Sequence, residues 1–231
     1  MNFDALFHSL PKLLTGAGIT LELVGVSLAI GLVLALPMAL LRVSRSPLLR
    51  ALPYAYIFFF RGTPLLVQIF MIYYGASQFE WVRDSALWPI LREPYWCAII
   101  AFALNTGAYT AEILRGAMQA VPSGQIEAAR AIGMSTAMTY RRIILPQAVR
   151  IGLPAYGNEI ILMIKGSSLA STITLLDLTG MARTLIARNY LPVEMFLAAG
   201  LIYLAMTLVL TQVFRMVEAR LGRHLQPQPT P

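Results

Sequence analysis

The sequence predicts an all-α integral membrane protein with about five transmembrane helices and a short helix pair in one of its loops. Three observations carry that expectation. Of 231 residues, 58% are hydrophobic and only 13% are charged, against about 25% charged in an ordinary soluble domain. The mean hydropathy is +0.67, and the apolar residues gather into stretches long enough to cross a hydrocarbon layer of about 30 Å. The basic residues, finally, are sorted between alternate loops instead of being scattered.

The first predicted span is 16–41, whose only charge is Glu22. The segment before it lacks a basic region and a small-residue cleavage pattern, so an uncleaved anchor is expected. The second span, 52–75, is interrupted by Arg61-Gly62-Thr63-Pro64. The third is 95–114, the fourth a shorter 152–169, and the fifth 193–214. Tyr73, Tyr74, Trp81, Trp88, Tyr95 and Trp96 cluster around one end of spans two and three, as an interfacial aromatic belt would. A single transmembrane domain over 1–225 is expected, with a polar, proline-rich tail at 226–231 that should be frayed.

Charge sets the direction. One group of loops and span ends holds Arg42, Arg45, Arg50, Arg115, Arg130, Arg141, Arg142, Arg150, Arg215, Arg220 and Arg223 against only Glu127 and Glu218. The opposite group holds Lys12, Arg83, Arg92, Arg183 and Arg188 against Asp4, Glu80, Asp84, Glu93, Asp177 and Glu194, and is nearly balanced. Cytoplasmic loops collect Lys and Arg, so the N-terminus is expected outside and the C-terminus in the cytoplasm. The formal charge of +7 is read as topological, with no nucleic-acid partner.

The basic loop at about 116–150 contains a compact pattern. Ser123 follows Pro122 and suits a helix N-cap, while Gly133 suits the left-handed residue that ends a helix. Ser135 suits the cap of a second helix, expected to run to Leu145 and stop before Pro146. Ala128, Ala129 and Ala131 leave the first helix with little bulk, and Glu127, Arg130, Arg141 and Arg142 surround it with charge. Such a pair suits a docking knob for another protein, and equally an amphipathic loop resting on anionic headgroups.

Several classes are excluded. Cys97 is the only cysteine, and His8 and His224 are too far apart to suggest a metal pair, so no metal site is predicted. The same scarcity leaves no nucleophile and base constellation for a membrane enzyme. Neither lysine, Lys12 nor Lys165, precedes Ser or Thr in a glycine-rich turn, so no P-loop is present. An ion-gradient-driven secondary transporter remains as the alternative, although such proteins usually show repeated halves and more than five spans.

The spacing Glu127-Ala128-Ala129, three residues, Gly133, nine residues, Ile143, one residue, Leu145-Pro146 resembles the loop signature of membrane subunits in bacterial ATP-binding-cassette importers of type I. Arg61 to Gln68, Asn105 to Glu112 and Leu153 to Glu159 resemble the polar amino-acid branch, nearest to the histidine, arginine/ornithine and opine permeases. The likeness runs over most of the chain. It implies that Glu127, Ala128, Ala129, Gly133, Arg141 and Arg142 couple to a separate cytoplasmic ATPase. It also implies two ATPase copies, which bind ATP and Mg, a second permease subunit, related or identical, and a periplasmic binding protein. This chain would itself bind no cofactor.

Charges inside spans cost about 2.5–3.5 kcal/mol at a helix centre, so each asks for a partner or a task. Glu112 lies within a turn of Arg115 and reads as a structural or gating pair near the interface. Arg61, beside a helix break, and Glu159, in the short fourth span, are the candidates for holding the carboxylate and side-chain cation of a basic amino acid. A structural pairing of Glu159 with Lys165 is the competing reading. Gln68, Asn105, Tyr109 and Asn158 are further candidates for lining the path, or else interhelical glue. Many relatives of this branch carry an acid after the lysine aligned with Lys165, where this chain departs from the pattern with Gly166.

Overall fold

The computed structural model describes residues 3–44 and 46–222; Arg45, Arg223 and the tail at 226–231 lie outside them. The described elements are all helical. Three helices are long and apolar enough to cross a membrane, or five spans if each of two bent helix pairs is taken as one. The long ones are α1 (Phe3–Arg42), α6 (Pro94–Gln119) and α11 (Pro192–Gly222). The first bent pair joins α2 (Pro47–Gly62) to α3 (Leu65–Phe70), which a π-helical turn extends over Met71–Gly75. Between this pair and α6 lie two single-turn helices, α4 (Glu80–Arg83) and α5 (Trp88–Leu91). The loop helices are α7 (Ser123–Ala131) and α8 (Thr136–Thr139), then a π-turn at Tyr140–Ile144 leads into α9 (Leu145–Gly166). A 3-10 helix at Ser167–Ile173 and a turn then connect to α10 (Leu178–Asn189).

α6 is the axis of the bundle. Two thirds of its apolar window, 67%, is buried, against 17% for α11, so α11 presents mostly exposed apolar surface, including Leu201, Leu204 and Leu208. Since lipid tails are as apolar as leucine, such helices associate through close packing of small residues. At Gly31 of α1, an added Cβ would lie 2.5 Å from Thr106 Cγ2 and 3.2 Å from the Ala103 carbonyl of α6. At Gly107 it would lie 3.3 Å from the Gly31 carbonyl. Two glycines thus let the longest helix cross the central one at backbone contact. The Tyr56 hydroxyl, 2.8 Å from that added Cβ at Gly107, donates to the Leu104 carbonyl at 2.7 Å and ties α2 to the same crossing.

Four local expectations need correction. Span one begins earlier, because Leu13 and Ala17 extend its packing surface onto Leu178, Ala182 and Met195. Ser123 is the first helical residue of α7, and Pro122 occupies the cap position. The helix begun at Ser135 does not stop before Pro146. The π-turn at Tyr140–Ile144 widens the backbone immediately before the proline, which sits in the first turn of α9 where an N–H is not needed. Loop helix and fourth span are therefore one continuous helical rod. Finally, the stretch before span five is not a plain loop, since it folds as α10. The Asp177 side chain caps it, accepting from the Gly180 and Thr179 amides at 3.0 and 3.2 Å.

Candidate functional site

The break at Gly62-Thr63-Pro64 organises the centre of the bundle. α2 and α3 meet at 105°, far more than a proline kink alone. Pro64 has no N–H to offer the carbonyl four residues earlier, that of Phe60. Two side chains replace it: Gln68 Nε2 donates to the Phe60 carbonyl at 2.9 Å, and Asn105 Nδ2 donates to the same oxygen at 3.2 Å. Asn105 Nδ2 also donates to Gln68 Oε1 at 3.0 Å, and Gln68 Nε2 to the Thr63 hydroxyl at 2.8 Å. Both amides are buried, and their polar groups face the broken backbone.

Beside this knot lies a cavity of about 150 Å³ lined by Leu65, Asn105, Tyr109, Glu159, Leu162 and Met163. It joins α3, α6 and α9 near the midpoint of α6. Glu159 is only 6% exposed, and among the described residues no salt bridge reaches it. The buried Thr106 hydroxyl lies beside its carboxylate. Lys165 is exposed and does not pair with Glu159. The Arg61 guanidinium carbon sits 5.2 Å from the centroid of the Tyr109 ring, a cation–π arrangement that brings it to the same region.

Five of the six residues expected along the path, Arg61, Gln68, Asn105, Tyr109 and Glu159, therefore converge. Asn158 does not. One residue along a helix turns the side chain by about 100°, and Asn158 faces outward while Glu159 faces in. Thr106, Leu65, Leu162 and Met163 are not among the residues expected along the path; apolar and hydroxyl residues in a span carry no local mark of facing a cavity. Glu22 also finds a partner that its sequence neighbourhood did not suggest, accepting from the Tyr95 hydroxyl at 2.6 Å.

The loop pair stands at the end of the bundle near the α1 and α6 C-termini. α7 ends as its sequence predicts: Gly133 has φ +80°, the Gly133 amide donates to the Arg130 carbonyl and the Met134 amide to the Ala129 carbonyl, each at 3.0 Å. This double closure is the Schellman arrangement. Ser135 caps α8, its hydroxyl accepting from the Met138 amide at 3.3 Å. Ala129 is 2% exposed and faces the bundle, whereas Glu127, Ala128, Ala131, Gly133, Arg141 and Arg142 are exposed. Ile132 projects beside them at 79% exposure. The loop thus offers a small-residue surface with an apolar tip and a rim of charge.

Residues 27–223 match the family model described as binding-protein-dependent transport system inner membrane component. The chain is 55% identical over 220 residues to the octopine transport system permease protein OccM of Rhizobium meliloti, covering 94% of this chain and 90% of that protein. It is 50% identical to the nopaline transport system permease protein NocM of Agrobacterium fabrum, over 98% and 94% of the two chains. To the histidine/lysine/arginine/ornithine transport system permease protein HisM of Escherichia coli it is 45% identical, over 94% and 91%. A crystal structure of an amino acid ABC transporter with histidines superposes with a TM-score of 0.86 at 36% identity, over 95% of this chain and 99% of the other. The inward-facing MetNI methionine ABC transporter gives a TM-score of 0.73 at 19% identity over 92% and 97%, a likeness of fold alone.

Proposed function

The chain belongs to the family of binding-protein-dependent transport system inner membrane components, and from that premise we propose that it is the permease subunit of an ATP-driven importer for a basic amino acid or an opine. It is a transport subunit, a role its permease relatives share. Octopine, nopaline, histidine, lysine, arginine and ornithine are the ligands named for those relatives. All of them carry a carboxylate, and most carry a side-chain cation.

The observation that carries the substrate reading is Glu159, a carboxylate buried at mid-height and lining a cavity, with no salt bridge among the described residues. A charge in that position is costly unless a cation arrives to meet it. Glu159 takes the side-chain cation, Arg61 the carboxylate, and Tyr109 holds Arg61 in place. Gln68 and Asn105 frame the site by closing the broken backbone, and Asn158 stands outside it. A volume of about 150 Å³ falls short of the ~300 Å³ at which ligand pockets begin. The facing permease subunit, a copy or a relative, completes the site.

The exposed loop docks on the cytoplasmic ATPase through Glu127, Ala128, Gly133, Arg141 and Arg142, with Ala129 anchoring the knob from beneath. ATP and Mg bind to that partner, present as a dimer, and a periplasmic binding protein delivers the ligand. The subunit spans the inner membrane with its N-terminus outside and its C-terminus in the cytoplasm, as the arginine-rich loops require. Uptake of radiolabelled arginine by the reconstituted complex tests the substrate reading. Glu159→Gln is expected to abolish most uptake of the cation while Glu127→Lys leaves the subunit inserted but uncouples it from ATP hydrolysis. Full uptake of a cationic substrate by Glu159→Gln would sink the assignment.

A further inference from the structure

We propose that the bundle carries a second ligand station, built by Arg42, Arg61 and Glu112, which receives the carboxylate–ammonium pair of the transported amino acid between the mid-height cavity and the loop end of the bundle. The proposal rests on the substrate path assigned above and adds two binding residues to it.

A cavity of about 310 Å³ is lined by Arg42, Tyr54, Arg61, Gly62 and Glu112, with Ile57 and Phe58. Three elements build it: the last turn of α1, α2 from Tyr54 onward, and α6 one turn from its Arg115. Glu112 is only half used. Arg115 Nε donates to its Oε1 at 2.9 Å, and Arg115 Nη2 contacts that same oxygen, while Oε2 is buried with no hydrogen-bond partner. Arg42 Nε is likewise buried and unpartnered, and its guanidinium carbon lies 5.1 Å from the Tyr54 ring centroid. Leaving such groups unsatisfied is costly, and here a donor and an acceptor are both left over around one space.

The charges select the ligand class. A bare anion would gain from Arg42 and Arg61 but be repelled by Glu112, and a bare cation would meet the reverse. A zwitterion uses all three: its ammonium reaches the free oxygen of Glu112 and its carboxylate the guanidinium forks. Every α-amino acid has that pair, so this station is indifferent to the side chain, which Glu159 selects. Arg61 joins the two cavities, since it lines this one while its guanidinium covers Tyr109, which lines the other. A carboxylate held by Arg61 need not be released as the ligand passes.

The test uses proteoliposomes holding the assembled transporter with the loop side inward, ATP inside, and radiolabelled arginine outside. Arginine added inside is expected to slow uptake by occupying the station, and agmatine, which lacks the carboxylate, to do so about tenfold less well, as loss of a charged hydrogen-bond pair implies. Arg42→Gln and Glu112→Gln should each raise the inhibitory arginine concentration about tenfold or more. If Arg42→Gln does not assemble, Arg42→Lys keeps the charge, loses the fork, and should still weaken inhibition. Inhibition unaltered in these variants, agmatine as potent as arginine, or inhibition by arginine that disappears on adding phosphatidylglycerol would each overturn the proposal, the last by assigning the cavity to a lipid headgroup. Unchanged uptake in Glu159→Gln with lost inhibition in Glu112→Gln would reject the mid-height site and leave the station standing.

Discussion

Proline 64 leaves one carbonyl oxygen without its helical donor, and the centre of the protein is arranged around that vacancy. The Phe60 oxygen receives hydrogen bonds from Gln68 and Asn105 together, so two side chains from different elements stand in for one missing N–H. Gln68→Leu keeps similar bulk but removes the donor that also holds the Thr63 hydroxyl. It should cost about 1–3 kcal/mol, the penalty for a buried group left unsatisfied, seen as a lower unfolding midpoint of the detergent-purified subunit. Asn105→Leu should cost a similar amount, and the double variant less than the sum, because the two amides are bonded to each other. Of this arrangement the sequence displayed the break and the polar residues. It did not display that they serve the same oxygen, since 45 residues separate Phe60 from Asn105 and no local pattern spans that distance.

At the scale of elements, the loop pair shows how a helix can be stopped in one place and carried on in another. Gly133 ends α7 because only a residue at ease with positive φ closes both terminal carbonyls, and an added Cβ there meets nothing within 4 Å. The requirement is conformational and not steric. Gly133→Asn should therefore be tolerated, while the β-branched Gly133→Val should cost about 1–2 kcal/mol locally and lower uptake and substrate-stimulated ATP hydrolysis together in the reconstituted complex. Equal activity of the two variants would contradict a conformational role. Past Gly133 the chain does the opposite: the π-turn at Tyr140–Ile144 absorbs Pro146, so α8 and α9 form a single rod from the exposed loop to Glu159. Proline's usual meaning as a stop was the natural reading of the sequence. What reversed it was the widened turn, a backbone adjustment that residue types alone do not specify.

At the scale of the molecule, α6 is the fixed axis, and α1 rests on it through the Gly31–Gly107 crossing. Gly31→Ala should destabilise the subunit by about 1–3 kcal/mol, the range for overpacking a close contact, whereas Gly18→Ala, whose Cβ would meet nothing within 4 Å, should be neutral in the same thermal assay. Orientation is open to a direct chemical test as well. Cys97 is buried, so a cysteine introduced at the exposed position 127 gives a clean label. Glu127→Cys should react with an impermeant maleimide in inside-out vesicles stripped of the ATPase and stay unlabelled in intact cells. Labelling from outside would reverse the topology and remove the loop from the ATPase.

What the sequence determined by itself was written within one turn or one span: the apolar stretches, the arginine bias between loops, the proline break at Pro64 and the left-handed glycine. Each depends on backbone geometry and on transfer between water and lipid, which neighbouring residues decide among themselves. Only the tertiary structure decided which polar side chains meet. It turned Glu159 inward and Asn158 outward, gave Glu22 to Tyr95, kept Lys165 away from Glu159, and left Arg42 and Glu112 with unsatisfied atoms around a shared cavity. Those outcomes depend on how helices far apart in the chain rotate and cross, and a buried charge acquires its meaning only when that packing has chosen what stands opposite it.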